Sequence, residues 1–329
     1  MIDTVKSTNG ISRVAVLGLG TMGHGIAQTF ALAGCDVACF DESANMRGSL
    51  IERVRTNLEA FVTAGLVEPW QIEPTLTRLG LAGTEEEAVA EAQFVTEAVP
   101  EDLEIKQALF SRLERIAGPE AILASNSSSF PISQSGSRMQ RPERALVTHW
   151  FNPPHLTPIV EVVPGPHTSL DTVQTTLDLL LRLGKHPIRL QRELPGFLVN
   201  RVQVAIQREV WDLVGQGVAT PEEIDAAIRG TIGFRFAALG PLEIHDFAGL
   251  DIQLATYRNL VSEIRSDTTP PKAIQELAAD GRLGVKTGRG FYKYPPDRLQ
   301  ARRARRDSLL LKLRKLLYSI DSAGKLSDG

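Results

Sequence analysis

The chain has little of what marks a secreted, metal-binding or membrane protein. Its 329 residues hold only two cysteines, Cys35 and Cys39. These make neither a disulfide framework nor a metal-ligand set, which points to a reducing compartment and no bound metal. No run approaches the roughly 20 apolar residues of a membrane span, and Met1 to Arg13 has no apolar signal core. The expected protein is soluble and cytoplasmic, with no membrane partner. A net charge of −3 offers nucleic acid no general basic surface. What is present is 43% hydrophobic content, enough for a large core, over a length that suggests two domains.

The densest signal lies near the start. Val14-Ala15-Val16-Leu17 reads as a buried strand and runs into Gly18-Leu19-Gly20-Thr21-Met22-Gly23, a G-x-G-x-x-G match, with a helix carrying Ile26, Ala27, Phe30 and Ala31 directly behind it. Gly18 suits the tight turn, Gly20 the approach of a pyrophosphate, and Gly23 close packing of helix on strand. The phosphates would sit at the helix N-terminus, where unpaired N–H groups and the helix dipole favour an anion. A second strand, Asp36 to Phe40, ends at Asp41, about 20 residues beyond Gly20, where a carboxylate binds the ribose of NAD and repels the extra phosphate of NADP. A lone glycine motif is an ordinary strand-to-helix turn; strand, helix, second strand and terminal Asp together predict a dinucleotide site with NAD as cofactor.

Further along, Ala44 to Ala64 reads as helix and Gly65 to Gly83 as a turn-rich or helical excursion. Strands are expected at Phe94 to Val99, Ala121 to Ala124, Ala145 to Thr148, Ile159 to Val163 and Pro187 to Leu190, with helices at Leu103 to Ala117 and Leu170 to Leu183. Polar residues follow several strand ends, where ligands bind in open parallel sheets. From about Glu193 strand signals stop and long helical patterns take over. The predicted class is α/β: a Rossmann-type doubly wound domain over 1–192, an all-α C-terminal domain over 193–297, and a basic amphipathic helix or tail over 298–329. In that tail Leu310, Leu313 and Leu317 form the expected apolar stripe, packed on the chain's own domain or on a partner. The apolar residues Val204, Ile206, Val210, Trp211 and Val214 suggest a buried core and a subunit contact.

His149 stands in Thr148-His149-Trp150-Phe151-Asn152-Pro153-Pro154, with Glu161 twelve residues on. Taken with Ser125-Asn126-Ser127-Ser128, Pro195-Gly196-Phe197, Asn200-Arg201, Gly240-Pro241, Asp246 with Gly249-Leu250-Asp251, and Lys286-Thr287-Gly288-Arg289-Gly290-Phe291-Tyr292, the chain resembles the L-3-hydroxyacyl-CoA dehydrogenase family from about residue 13 to residue 294. The resemblance implies a second domain like that of 6-phosphogluconate dehydrogenase, a homodimer, and NAD-dependent oxidation of a 3-hydroxyacyl substrate in fatty acid metabolism. It gives the base to His149, its partner carboxylate to Glu161, substrate contacts to Ser128 and Asn200, and cofactor contacts to Met22, Asp41, Glu101, Lys106, Ser128, Asn152 and Lys286, beside the loop residues Gly18, Gly20, Thr21 and Gly23. The chemistry agrees, since oxidising a secondary alcohol needs a base that titrates near neutral pH. A buried carboxylate would fix its tautomer and stabilise the imidazolium.

Plainer readings exist for each residue. A histidine after a strand is most often structural, as His24, His155, His167, His186 and His245 are taken to be. Glu161 alone is a solvated strand charge, and Asn200 and the serine run suit helix caps. On substrate the signals divide. Ala44 to Ala82 contains no lysine to meet CoA phosphates, only Arg47, Arg53, Arg55 and Arg78. Val99-Pro100-Glu101-Asp102-Leu103-Glu104, Asn152-Pro153-Pro154 and Pro158 to Pro164 look more like the branch of lambda-crystallin, L-gulonate dehydrogenase and carnitine dehydrogenase, whose substrates are free hydroxy acids; the ending Lys286 to Tyr292 is nearer the acyl-CoA branch. The partner is therefore a small molecule, an acyl-CoA thioester or a free hydroxy acid. A 6-phosphogluconate or 3-hydroxyisobutyrate type of enzyme would need a catalytic lysine in a Gly-rich helix, and Lys286 lies far too late. A non-enzymatic, crystallin-like NAD-binding protein is the other class, against which His149, Glu161 and Asn200 all stand intact.

Overall fold

A computed structural model describes residues 10–318 of the chain. It divides into two compact units, residues 10–198 with 310–318, and residues 199–309.

The first unit is built on strands β1 (Arg13–Leu17), β2 (Asp36–Phe40), β3 (Leu79–Leu81), β4 (Phe94–Glu97), β5 (Ile122–Ser125), β6 (Ala145–Trp150), β7 (Ile159–Pro164) and β8 (His186–Arg189). They form one sheet in the order β3-β2-β1-β4-β5-β6-β7-β8. Its helices are α1 (Gly23–Leu32), α2 (Ala44–Gly48), α3 (Leu50–Thr63), α4 (Ile72–Thr77), α5 (Glu85–Val89), α6 (Leu103–Ile116), α7 (Ile132–Ser135) and α8 (Leu170–Arg182). Because successive side chains of a strand point to opposite faces, β1 feeds two cores. Val14 and Val16 pack with Ile26, Phe30, Leu50 and Leu179 on one face, while Ala15 and Leu17 pack with Val89, Leu109 and Phe110 on the other. Side chains at Ser43, Thr84, Asp102 and Ser169 cap the helices that follow them, each accepting a backbone N–H from the first turn.

The doubly wound arrangement agrees with the expectation, with corrections of detail. The excursion from Gly65 to Gly83 contains β3, an edge strand paired to β2; three residues around Gly80 carry too little β-branched or aromatic character to announce a strand. His149 does not follow a strand but lies inside β6. β7 runs antiparallel to β6. The reason is legible afterwards, because residues 151–158 are too short a link for a parallel crossover, which needs a dozen residues or more.

The second unit holds α9 (Val199–Gly215), α10 (Pro221–Ile228), α11 (Phe234–Phe236), α12 (Pro241–Ala248), α13 (Leu250–Leu260), α14 (Lys272–Ala279) and most of α15 (Pro296–Leu317). α10 starts with a capping box, Thr220 with Glu223, and Pro221 at its first position. The last turns of α15 belong to the first unit. There the buried leucine is Leu311, with Leu310 packed beside it on Phe61 and Leu156, whereas Leu313 is exposed. The expected stripe of Leu310, Leu313 and Leu317 is thus corrected. Leu311 and Arg314, one turn apart, sit on the side that meets the unit. Residues 319–329 of the expected tail lie outside the described residues. Among the described residues no helix is long and apolar enough to cross a membrane.

Candidate active site

The loop between β1 and α1 is shaped by its glycines. Gly18 has φ +87°, and a Cβ there would lie 2.6 Å from the carbonyl oxygen of Ala98. At Gly23 a Cβ would come within 1.7 Å of the Gly18 carbonyl oxygen, so neither position admits a side chain. A Cβ at Gly20 would instead meet nothing within 4 Å, the open face a ligand could occupy. The N-terminus of α1 has no side-chain cap and no acidic residue in its first turn, which leaves its N–H groups and dipole to an anion. Met22 is the N-cap residue and Thr21 is exposed beside it. Asp41 closes the far wall: its Oδ2 accepts the Leu19 N–H at 2.6 Å and its Oδ1 the Ser43 N–H at 2.8 Å. His24 bonds the Gly20 carbonyl at 2.8 Å through Nδ1, a loop-holding role.

The second half of the site lies at the ends of β4 and β5. Lys106, from α6, is fully buried, with Nζ 2.8 and 3.0 Å from the two carboxylate oxygens of Glu97 and 3.4 Å from Glu101. Glu97 also accepts the Ser125 hydroxyl and, at 3.1 Å, the Val99 N–H. Above this pair, one oxygen of Glu101 accepts the hydroxyls of Ser127 at 2.7 Å and Ser129 at 2.8 Å, and the N–H groups of Ser128 at 2.9 Å and Ser129 at 3.0 Å. Burial works against ionisation of Glu101, but the Ser127 and Ser129 hydroxyls, the Lys106 charge and the Ser128 N–H outweigh it and hold the carboxyl below its ordinary range. The serine run is therefore folded around a carboxylate, and Ser128 stands exposed on its rim.

β6 and β7 supply the reactive pair. Their antiparallel register places His149 directly opposite Glu161, and directly opposed residues share a sheet face. The pair is buried, with Nδ1 2.7 Å from Glu161 Oε2. The other carboxylate oxygen, Oε1, accepts the Leu198 N–H at 3.1 Å. The rings of Phe151 and Phe197 lie 4.4 and 5.4 Å from the imidazole. A carboxylate is acceptor-only, so Nδ1 is the donor, and in the neutral imidazole Nε2 then holds the lone pair.

The structure thus brings together His149 with Glu161, Glu101 with Ser128 and Lys106, and Asp41 with the glycine loop. Asn152 is exposed just after β6, before a cis peptide bond to Pro153. Asn200, in α9, and Lys286, in the short turn Val285–Thr287, belong to the second unit. Sequence reasoning gave no role to Glu97, Ser127, Ser129, Phe197 or the Leu198 N–H. Ser127 and Phe197 stood within motifs of the resemblance, and Glu97 had a signal of its own, a carboxylate at the end of an otherwise apolar strand. Among the described residues no group of histidine, cysteine and acidic side chains could hold a metal ion.

Comparison with known proteins gives a consistent picture. The profile described as "3-hydroxyacyl-CoA dehydrogenase, NAD binding domain" matches residues 13–194, and "3-hydroxyacyl-CoA dehydrogenase, C-terminal domain" matches residues 196–294. The chain is 34% identical to a 5-formyl-3-hydroxy-2-methylpyridine 4-carboxylate 5-dehydrogenase of Mesorhizobium japonicum, over 93% of this chain and 98% of that one. It is 38% identical to a 3-hydroxyadipyl-CoA dehydrogenase of Escherichia coli over 88% of this chain but 60% of that longer protein. A solved structure of a dehydrogenase for the same pyridine carboxylate, described as an NAD+ dependent dismutase, superposes with TM-score 0.87 at 31% identity, covering 93% of this chain and 98% of that one.

Proposed function

The chain belongs to the 3-hydroxyacyl-CoA dehydrogenase family, an NAD-dependent group acting on CH–OH, and from that premise we propose that it oxidises a short-chain 3-hydroxyacyl substrate to the 3-keto product with His149 as base. The observation that carries the proposal is the buried Nδ1 to Glu161 contact of 2.7 Å, which engages Nδ1 and leaves Nε2 as the ring nitrogen that can take the hydroxyl proton. The hydroxyl proton passes to Nε2, and Glu161 offsets the charge of the imidazolium. NAD, when bound, would supply the acceptor for the carbon's hydrogen with its electron pair. Its adenosine ribose falls to Asp41 and its pyrophosphate to residues 18–23. Glu101 and Asn152 are the proposed contacts at the nicotinamide end, with Lys106 acting through Glu101. Ser128 is the proposed donor to substrate and cofactor; Asn200 is carried over as a substrate contact and Lys286 as a cofactor contact. The exposed apolar side chains of the second unit, among them Phe234, Leu242, Phe247 and Tyr257, support a homodimer, and the two free buried thiols support a cytoplasmic, reducing setting.

A second reading concerns what carries the acyl group, and the arginines favour a free carboxylic acid over a CoA thioester. Arg55 is paired with Glu73 at 2.5 Å and Arg78 with Asp36 at 2.8 Å. Arg47 donates to the carbonyls of Asp41 and Glu42, and Arg53 to those of Gly20 and Met46. Arg55 and Arg78 are thus held in ion pairs and Arg47 and Arg53 spend donors on backbone carbonyls, so none of the four is a wholly uncommitted cation in place of the missing lysines. One relative matched over almost its whole length is itself named for a pyridine carboxylate. Rates of NADH formation with acetoacetyl-CoA's hydroxy form, L-gulonate and carnitine separate the readings. Turnover of the thioester alone removes the free-acid reading, and NADH binding without turnover of any hydroxy compound removes the enzyme.

Cofactor choice gives a prediction of its own. Asp41→Ser should weaken NAD modestly and cut its advantage over NADP about tenfold or more, since a like charge about 4 Å away is worth roughly 1 kcal/mol in water and more near a protein surface. Arg47 already lies against the Asp41 and Glu42 carbonyls and would help receive the extra phosphate. Equal kcat/KM of the wild type for NAD and NADP would show that Asp41 does not select the cofactor.

A further inference from the structure

At the opposite end of α1 from the glycine loop is a cavity of about 240 Å³ lined by Gln28, Leu32, Phe61, His155, Arg182 and Arg314, among others. It is large enough for a phosphate-sized group with several waters, at about 30 Å³ of liquid volume per water. Arg182, the last residue of α8, is exposed, so the cavity is reachable from solvent. Arg314 comes from α15, beyond the residues matched by the family profiles.

Three side chains that line this cavity, Arg182, Arg314 and Gln28, have N–H donors left over. Arg182 uses Nη2 on the Ile11 carbonyl and, at 3.8 Å, on the Cys35 sulfur. Arg314 uses Nη1 on the His155 carbonyl at 2.6 Å, with its guanidinium 5.8 Å over the Phe61 ring. A guanidinium has five N–H donors, so most of each fork is unspent, and among the described residues neither pairs with a carboxylate. Gln28 is fully buried, its Oε1 taken by Asn57 at 2.9 Å and its Nε2 without a partner. Beside the cavity, buried Lys185 donates to the carbonyls of Pro154 and Thr157 at 2.7 and 2.8 Å. Burial and then the Arg314 charge push the Lys185 pKa well down. His186 is lowered by burial and by both cations. Donation to the Ile11 and His155 carbonyls explains one nitrogen of each arginine. It leaves the repulsion among these cations and the Gln28 amide without any acceptor.

We propose that this cavity is a second binding site, for a small oxyanion of the phosphate or carboxylate class, held by Arg182, Arg314 and the Gln28 amide, and that filling it fastens the end of α15 onto the first unit. Arginine forks match both oxyanions through paired N–H donors. A ligand bound only by the folded form raises stability by mass action.

The test is thermal melting of the full chain in saturating NADH, so that the dinucleotide site is filled, with inorganic phosphate or succinate titrated against chloride at equal ionic strength. Phosphate, succinate or both should raise Tm by several degrees with saturation, the more effective anion identifying the class. That anion-dependent rise, measured against each variant's own baseline, should be lost in Arg314→Gln and reduced in Gln28→Leu while NADH affinity is unchanged. No saturable rise with either anion, or an equal rise in both variants, overturns the proposal.

Discussion

Replacing His149 by alanine is expected to lower kcat by about 10²–10⁴ while leaving NADH affinity unchanged, because a general base contributes to proton transfer and not to dinucleotide binding. Stopped-flow turnover and NADH fluorescence titration measure the two halves separately, and near-wild-type turnover would remove His149 from the mechanism. The companion variant Glu161→Gln follows from the hydrogen bonds around the carboxylate. Oε1 accepts the Leu198 N–H and Oε2 faces His149 Nδ1. An amide turned to keep an acceptor toward Leu198 presents its NH₂ to Nδ1, which drives the imidazole proton to Nε2 and blocks the base. The expected loss in kcat reaches about 10⁴-fold with the fold intact. A variant with unchanged kcat would return Glu161 to a structural role.

How much of this was legible varies with the range of the interaction. The glycine loop and Asp41 are local in sequence, and each glycine's role could be read from the motif and later matched to an open or closed Cβ position. The pairing of His149 with Glu161 followed from family resemblance, but its geometry depends on the antiparallel register of β6 and β7. Alternation along β7 alone left Glu161 free to face either way; the register against His149 decides it. The network under the serine run was least legible. Lys106 and Glu97 meet only because α6 folds back over the end of β4, and nothing in the sequence marks Lys106 as a buried residue. β3 was hidden for a different reason, since a three-residue edge strand draws its identity from its neighbour β2.

That hidden network carries the other large effect. Lys106→Met should destabilise the protein by about 3–5 kcal/mol, the cost of leaving one partner of a buried ion pair uncompensated, because Lys106 and Glu97 are 1% and 0% exposed. The Ser125 hydroxyl and Val99 N–H still reach Glu97, but neither supplies a charge. Adding Glu97→Gln removes that buried charge and should recover a good part of the loss, a non-additivity that denaturant titration of the single and double variants measures. Cofactor binding should not recover with it. In the double variant Glu101 still lacks the cation 3.4 Å away, and the serine run it gathers loses part of its anchor, so NADH affinity stays weakened where stability is restored. If Lys106→Met instead costs no more than a surface substitution, the pair is not the keystone of this end of the sheet; if NADH affinity returns together with stability, Lys106 supports the fold and has no part in shaping the cofactor site through Glu101.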